Sequence, residues 1–163
     1  MTVAKYTANG LTIDQVKQFY ANMCENSMKL NPMYNMTVID DDEGHPVYHN
    51  LTSMSWPMSN RSAVFVEHRR EEDGVFTICF SSRGTEDFEK KHASLIGSNV
   101  VAKSVIQYAR FATVPGGIEI TNITAVDPAG SIPQFLKDRV AKRHARSGIV
   151  IADFILHGTI PTD

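Results

Sequence analysis

The stretch VVAKSVIQYARFATVPGGIEITNITAV, residues 100–126, decides how this chain folds. It contains two long runs rich in β-branched and aromatic residues, Val100–Thr113 and Gly117–Val126, which are typical of strands. The turn Pro115-Gly116-Gly117 joins them and predicts a hairpin. We therefore expect two long, neighbouring antiparallel strands at this point of the chain.

A turn and a long helical pattern follow the hairpin. Asp127–Ser131 is rich in turn residues, and Pro133 suits the first turn of a helix. Apolar residues recur from there to about Ile155. The chain is therefore predicted to close with one long helix.

One helical region and several shorter strands precede the hairpin. Thr2–Ala8 is predicted as a first strand, and Thr12 is a suitable N-cap for the helical region. That region should end before Asn31-Pro32, because the residue before a proline avoids the helical conformation. A long polar loop is expected at Arg83–Ser98. The other predicted strands are Met36–Ile39, Val47–Met54, Ala63–Arg69 and Val75–Ser81.

This order of elements predicts an α+β fold in a single domain that covers residues 1–163. A curved sheet of seven antiparallel strands should wrap around the long C-terminal helix, which covers one of its faces. Such a helix-grip arrangement leaves a cavity between sheet and helix. Enclosed cavities of this kind are common ligand sites.

Composition narrows the possible functions. The chain has 42% hydrophobic and 21% charged residues, and its net charge of −2 provides no basic field for nucleic acid. No apolar run is long enough to span a membrane, and no segment resembles a signal peptide. We therefore expect a cytoplasmic monomer without a cofactor, in which Cys24 and Cys79 are reduced.

Two motifs resemble one known family. The sequence WPMSNR at residues 56–61, followed by FVEHRR at 65–70, is similar to the corner and strand of START (steroidogenic acute regulatory protein-related lipid transfer) domains. The sequence VDPAGSIP at 126–133 is similar to the turn before the last helix of that family. The resemblance is strongest for the phosphatidylcholine transfer protein subgroup. It implies a minimal form without the family's N-terminal helix and first two strands.

The resemblance implies a non-enzymatic carrier that binds a lipid or other hydrophobic molecule and transfers it between membranes. It does not imply phosphatidylcholine as the ligand. Ser27 stands where the family has a phosphate-binding arginine, so no positive charge is available there. The positions that match the family's aromatic choline cage are Asn50, Ala63, Phe65 and Val105, and they retain a single ring for cation–π contact.

Several residues are predicted to contact the ligand. Strand alternation places Glu67 on the same face as Phe65, where Gln107 or Lys103 could hydrogen-bond its carboxylate; the alternative is a solvated residue near a strand end. Six of the seven methionines lie between residues 23 and 58, which suits an adaptable cavity wall or plain core packing. The predicted ligand-binding residues are Tyr48, Asn50, Phe65, Glu67, Val105, Gln107, Phe135 and Val140.

The closing helix is basic and amphipathic, so it could dock on an anionic membrane or present a solvated outer face. The loop Arg83–Ser98 is expected to gate the cavity together with this helix, as in START domains, and to touch the membrane as well. The predicted membrane-contact residues are Lys137, Arg139, Lys142, Arg143 and Arg146.

The histidines do not indicate a metal site. His45 and His49 are four residues apart in a predicted turn and strand, where that spacing does not form the helical pair of a zinc motif. His68 lies further along the chain, and no third ligand is evident. We therefore predict no bound metal.

Two other function classes remain as alternatives. One is a ligand-sensing or scaffold module. The other is an enzyme of the polyketide aromatase/cyclase type, for which Glu67 with Tyr48 or Gln107 would be the acid–base pair. Because no set of nucleophile, base and orienting group is found, we predict that the protein is not an enzyme.

Overall fold

The structure of the protein is a computed structural model that describes residues 1–158. Within that range the chain forms eight strands and five helices. The strands are β1 (Thr2–Asn9), β2 (Tyr34–Asp42), β3 (His45–Thr52), β4 (Arg61–Glu72), β5 (Val75–Ser81), β6 (Val100–Val101), β7 (Lys103–Val114) and β8 (Gly117–Asp127). The helices are α1 (Ile13–Ala21), α2 (Met23–Leu30), α3 (Glu86–Lys91), α4 (Ala93–Ile96) and α5 (Gln134–His157).

One sheet contains all of these strands in the order β1-β8-β7-β5-β4-β3-β2, with the short β6 beside β4. Neighbours along this path are antiparallel, whereas β6 runs parallel to β4. The closing helix α5 packs across β1 and β8. The predicted α+β helix-grip fold is confirmed, with β6 as an addition to the seven predicted strands.

The helical region begins and ends where the sequence predicted. Thr12 Oγ1 accepts a hydrogen bond from Gln15 N at 3.3 Å, and Gln15 Oε1 accepts one from Thr12 N at 3.0 Å. This reciprocal capping box satisfies two backbone donors that the helix leaves unpaired. The second helix ends at Leu30, directly before Asn31-Pro32. Between these limits the helices bury Val16, Phe19, Tyr20 and Met23.

The two faces of the sheet bury different clusters. The inner face, toward α1 and α5, carries Tyr48, Phe65, Phe76, Ile78, Phe80, Phe111, Ile118 and Ile120. The outer face carries a smaller cluster formed by Val47, Val64 and Val66 together with Ile96 of α4. Because β4 is buried on both sides, its run AVFV at residues 63–66 shows no alternation of apolar and polar residues.

The prediction of a polar, gating loop at Arg83–Ser98 is wrong. The segment folds into α3 and α4, and Ile96 and the partly buried Phe88 pack on the outer face of the sheet. Lys91 Nζ lies 2.6 Å from Asp40 Oδ2, which ties α3 to the end of β2. The apolar residues of this segment hold it on the face opposite α5, so it cannot close a cavity under that helix.

An irregularity in β7 changes which of its side chains face inward. Its register against β8 shifts by one residue at Val105, a β-bulge. Gln107 keeps its inward position, but Lys103 lies on the other side and pairs with Glu89 of α3. The sequence predicted an uninterrupted strand over residues 100–113, so simple alternation failed beyond the bulge.

The closing helix packs on the sheet with its second half only. Gly148 and Ala152 are buried against the sheet. In the first half, Phe135 is 69% exposed and Val140 is 42% exposed. The first half of α5 is therefore available to border a space between helix and sheet.

Candidate functional site

A cavity of about 310 Å³ lies between the inner face of the sheet, α1, α2 and α5. Its volume is at the lower end of the range of small-molecule sites, about 300–1,000 Å³. The cavity is lined by Phe19, Tyr20, Met23, Ser27, Leu30, Asn31, Met33, Tyr34, Met36, Thr52, Met54, Phe65, Phe80, Gln107, Tyr108, Ala109, Asn122, Thr124, Val140, Arg143, His144, Ser147, Val150 and Ile151.

The wall built by α1, α2 and β2 to β5 is aromatic and apolar. Phe65 and Phe80 meet edge to face with ring centres 5.8 Å apart, and Tyr20 lies 6.3 Å from Phe80. Four methionines add flexible thioether chains to this wall, as the sequence suggested: Met23, Met33, Met36 and Met54. Such a surface can adapt to apolar bodies of different shape.

The opposite wall, where α5 meets β8, carries a chain of polar groups. Asn122 Nδ2 donates to Tyr6 Oη at 3.0 Å and to Ser147 Oγ at 2.9 Å. Ser147 Oγ donates in turn to the carbonyl oxygen of His144 at 2.9 Å. Burial raises the pKa of Tyr6 to about 12, so its hydroxyl stays protonated. These hydrogen bonds fix the middle of α5 to the sheet.

A glycine allows the helix to approach this chain of polar groups closely. A Cβ built on Gly148 would lie 2.0 Å from Tyr6 Oη and 2.8 Å from Asn122 Nδ2. Non-bonded atoms do not come this close in a packed interior. Gly148 is therefore the residue that permits the junction of α5 with β1 and β8.

Two basic side chains lie where α5 borders the cavity. Burial lowers the pKa of His144, and the neighbouring charge of Arg143 lowers it further, so the imidazole is neutral at pH 7 and can donate or accept a hydrogen bond. Arg143 is the only lining residue within 1–158 that is permanently charged, and no carboxylate lines the cavity. The α5 wall therefore suits a polar group that accepts hydrogen bonds or carries negative charge.

The family model that matches this chain is that of the START domain, over residues 16–154. This range contains the cavity-forming sheet from β2 to β8, both early helices and most of α5. The chain belongs to the START domain family.

Solved structures of low sequence identity share the fold of this START domain. Human STARD10 matches with a TM-score of 0.72 and 13% identity, over 94% of this chain and 61% of that chain. The STAR-related lipid transfer protein of Xanthomonas axonopodis matches with a TM-score of 0.69 and 16% identity, over 94% and 84%. Human StAR-related lipid transfer protein 5 gives 0.69 and 13%, over 94% and 74%. No curated protein matches the chain.

Strand β4 of the START domain carries a buried acid that is neutralised within the protein. Glu67 is 1% exposed and faces inward like Phe65, as strand alternation predicted. Its carboxylate pairs with Arg69 and accepts a hydrogen bond from Tyr48 Oη at 3.1 Å. Arg69 also donates to the carbonyl oxygen of Tyr20 at 2.8 Å, which ties the pair to α1.

The partners predicted for Glu67 were wrong. Gln107 Nε2 donates instead to Ser104 Oγ at 3.0 Å. Lys103 lies on the outer face because of the bulge. Arg69 supplies the positive charge from the same face of the same strand, two residues further on, and the pair is absent from the cavity lining.

The structure brings only part of the predicted ligand-binding set to the cavity. Asn50 faces inward but is buried beside Thr52, whose Oγ1 accepts from its Nδ2 at 3.2 Å. Val105 is 58% exposed at the bulge and Phe135 is exposed in the first turn of α5, so their placement at the cavity is corrected. Tyr48 and Glu67 lie outside the lining. The predicted residues that line the cavity are Phe65, Gln107 and Val140.

The predicted membrane-contact residues lie on exposed positions of α5: Lys137, Arg139, Lys142, Arg143 and Arg146. Arg143 differs from the others because it also lines the cavity. In the part of the chain that the structure describes, no helix has the length and apolar character needed to cross a bilayer.

The other predicted chemistry can also be placed. Burial raises the pKa of Tyr48, and its hydrogen bond to Glu67 lies away from the cavity, so this pair does not face a bound substrate. Gln107 lines the cavity without Glu67 beside it there. Within residues 1–158, no three histidine, cysteine or acidic side chains gather as a metal site would require.

Sequence reasoning missed most of the polar wall. Asn122 continues the inward series of Ile118 and Ile120 on β8, and a polar residue in such a series is a signal that could have identified it. His144 and Ser147 carry no comparable signal. Their position depends on where α5 crosses the sheet, and that is a tertiary property.

Proposed function

We propose that this START domain binds one amphiphilic lipid molecule in the cavity under α5 and transfers it between membranes. The observation that carries the proposal is the cavity itself, which is apolar beside α1 and α2 and polar beside α5. The names of two solved relatives, both lipid transfer proteins, support the same function. A carrier needs no catalytic group, and the buried acid of β4 faces away from the cavity.

The lining favours a compact lipid with one polar end. A volume of about 310 Å³ suits one chain or a fused ring system better than two acyl chains. We place the polar end against Arg143, His144 and Ser147. The apolar body would then lie against the methionines and the ring of Phe19 on the opposite wall.

The first expected result concerns purified protein that is kept folded in native mass spectrometry. It should carry one lipid per chain, and the added mass should disappear under denaturing conditions. The cavity-filling change Ala109→Phe should reduce the retained lipid strongly, because Ala109 lines the cavity. Thr113→Phe, on the exposed end of the same strand, is the matched control and should retain the lipid.

Two results would contradict this proposal. An empty wild-type chain that takes up no lipid from mixed vesicles would exclude lipid binding. Retention of lipid by Ala109→Phe at the wild-type level would place the ligand elsewhere. Retention without delivery to acceptor vesicles would instead support the alternative of a ligand-sensing module.

Phosphatidylcholine is not expected to be a tight ligand in the same assay. Ser27 lines the cavity without providing a charge for a phosphate. Of the four positions that match the choline cage, only Phe65 is an aromatic residue that lines the cavity. Each lost cation–π contact weakens binding by about 0.5–2 kcal/mol. Fast and saturable transfer of labelled phosphatidylcholine would show that this expectation is wrong.

We further propose that the basic half of α5 attracts the domain to anionic membranes. Lys137→Glu combined with Lys142→Glu should lower binding to anionic vesicles by about tenfold or more at low salt, since each cation near such a surface contributes about 1 kcal/mol. Both lysines are exposed, and no ion pair with an acid is found for them within residues 1–158. Added salt should reduce the difference between variant and wild type.

The control for this experiment carries the same change in net charge at another place. Arg83→Glu with Lys90→Glu alters the segment that covers the outer face of the sheet. This control should bind anionic vesicles nearly as well as wild type. If it loses binding while the α5 variant keeps it, the membrane contact lies at residues 83–98 and not on the helix.

A further inference from the structure

The connection between β3 and β4 presents a large apolar side chain to solvent. Trp56, the only tryptophan of the chain, is 91% exposed. A tryptophan in a soluble domain normally buries most of its ring, because its apolar area is large. An exposed tryptophan therefore indicates a surface that is covered by something else during function.

Hydrogen bonds at its base hold this connection, residues 53–60, in place. Met54 N donates to Asn60 Oδ1 at 2.9 Å, and Ser53 N donates to the carbonyl oxygen of Met33 at 2.8 Å. Asn60 also accepts a backbone hydrogen bond from Val100 N at 3.1 Å. The tip that carries Trp56 is thus presented on an ordered base.

This tip lies at the same end of the sheet as the start of α5. A Cβ built on Gly130, in the turn before α5, would lie 3.6 Å from Val100 Cγ1 and 3.8 Å from Arg61 Nη2. Arg61 is the first residue of β4, directly after the Trp56 connection. Met54 of this connection and Val140 of α5 line the same cavity. The two elements therefore border one mouth.

Charge and apolar surface coincide at this end. Phe135, in the first turn of α5, is exposed like Trp56, and the basic residues of the same helix half follow it. Lys137 and Lys142 have no acidic partner within residues 1–158. Aromatic rings beside unpaired cations are the combination that favours the boundary between headgroups and acyl chains of an anionic bilayer.

We propose that this end of the domain docks on an anionic bilayer with Trp56 inserted at the boundary between headgroups and acyl chains. The proposal deepens the membrane contact put forward above and rests on it. It adds an apolar anchor to the electrostatic attraction of α5, and it directs the mouth of the cavity toward the membrane.

Because Trp56 is the only tryptophan, its own fluorescence reports the insertion. With vesicles of equal parts phosphatidylcholine and phosphatidylglycerol, the emission should shift to shorter wavelength, and lipids brominated near the headgroup should quench it. Trp56→Ala should lower the partition into these vesicles by about tenfold or more, since an inserted aromatic ring removes a large apolar area from water. Trp56→Phe should recover most of the binding.

Leu95→Ala is the matched control, because Leu95 is an exposed apolar residue of α4 on the opposite face of the sheet. It should bind like wild type. If vesicles bind while Trp56 emission stays unchanged, the docking surface is wrong, even though the carriage of lipid could still stand. If sedimentation shows a dimer that Trp56→Ala converts to a monomer, the ring serves self-association and the proposal fails. A shift in emission by protein that retains no lipid would overturn only the carrier function.

Discussion

Glu67→Gln is expected to lower the free energy of unfolding by about 3 kcal/mol, because removing one charge of a buried pair leaves the other uncompensated. Glu67 is fully buried, pairs with Arg69 and accepts a hydrogen bond from Tyr48. Since the carboxylate does not line the cavity, ligand preference should change little. Urea denaturation measures the stability, and competition between labelled lipids measures the preference.

Two further variants separate charge from hydrogen bonding. Tyr48→Phe removes one hydrogen bond and should lower the unfolding free energy by only about 1 kcal/mol. Arg69→Met combined with Glu67→Gln should be less harmful than the sum of the two single changes, because no buried charge is left unpaired. If Glu67→Gln instead changed lipid preference and left stability intact, the carboxylate would be acting in the ligand site.

Gly148→Ala should release α5 from the sheet. The added methyl group would overlap Tyr6 Oη, which lies 2.0 Å from the Cβ position. Overpacking of this kind lowers stability by about 1–3 kcal/mol, whereas the higher helix propensity of alanine would alone raise it by up to about 1 kcal/mol. Thermal unfolding measures the balance, and native mass spectrometry should show that retained lipid is lost as the polar wall moves.

The overlap itself can be tested by removing its other partner. Tyr6→Phe takes away the hydroxyl oxygen, so the double variant with Gly148→Ala should recover part of the lost stability. Some overlap would persist, because Tyr6 Cζ lies 2.9 Å from the built Cβ. A Gly148→Ala variant that is more stable than wild type would show that the helix sits further from β1 than the structure has it.

Local patterns were sufficient to predict the order of the elements. The boundaries of β5 were predicted without error, and Thr12 caps α1 as expected. Alternation also placed Glu67 on the inner face correctly. These successes share a cause: capping, turn chemistry and strand alternation depend on residues that are close in the sequence.

The errors arose where distant residues decide the outcome. The bulge at Val105 depends on how β7 meets β8, and it reversed the expected side of Lys103. The segment 83–98 looked polar, yet a few apolar side chains were enough to fold it onto the outer face. Most of the cavity lining also escaped prediction, since it is assembled from elements between residue 19 and residue 151.

The attachment of α5 by its second half makes the helix a lever. Its hydrogen-bonded pivot is Ser147, and the helix extends to Gln134 on the side of the cavity. At 1.5 Å of rise per residue this arm is about 20 Å long, so a tilt of about 10° at the pivot moves its tip by about 3–4 Å. The angle of one rod, more than the volume of any side chain, then sets how large a molecule the domain can enclose.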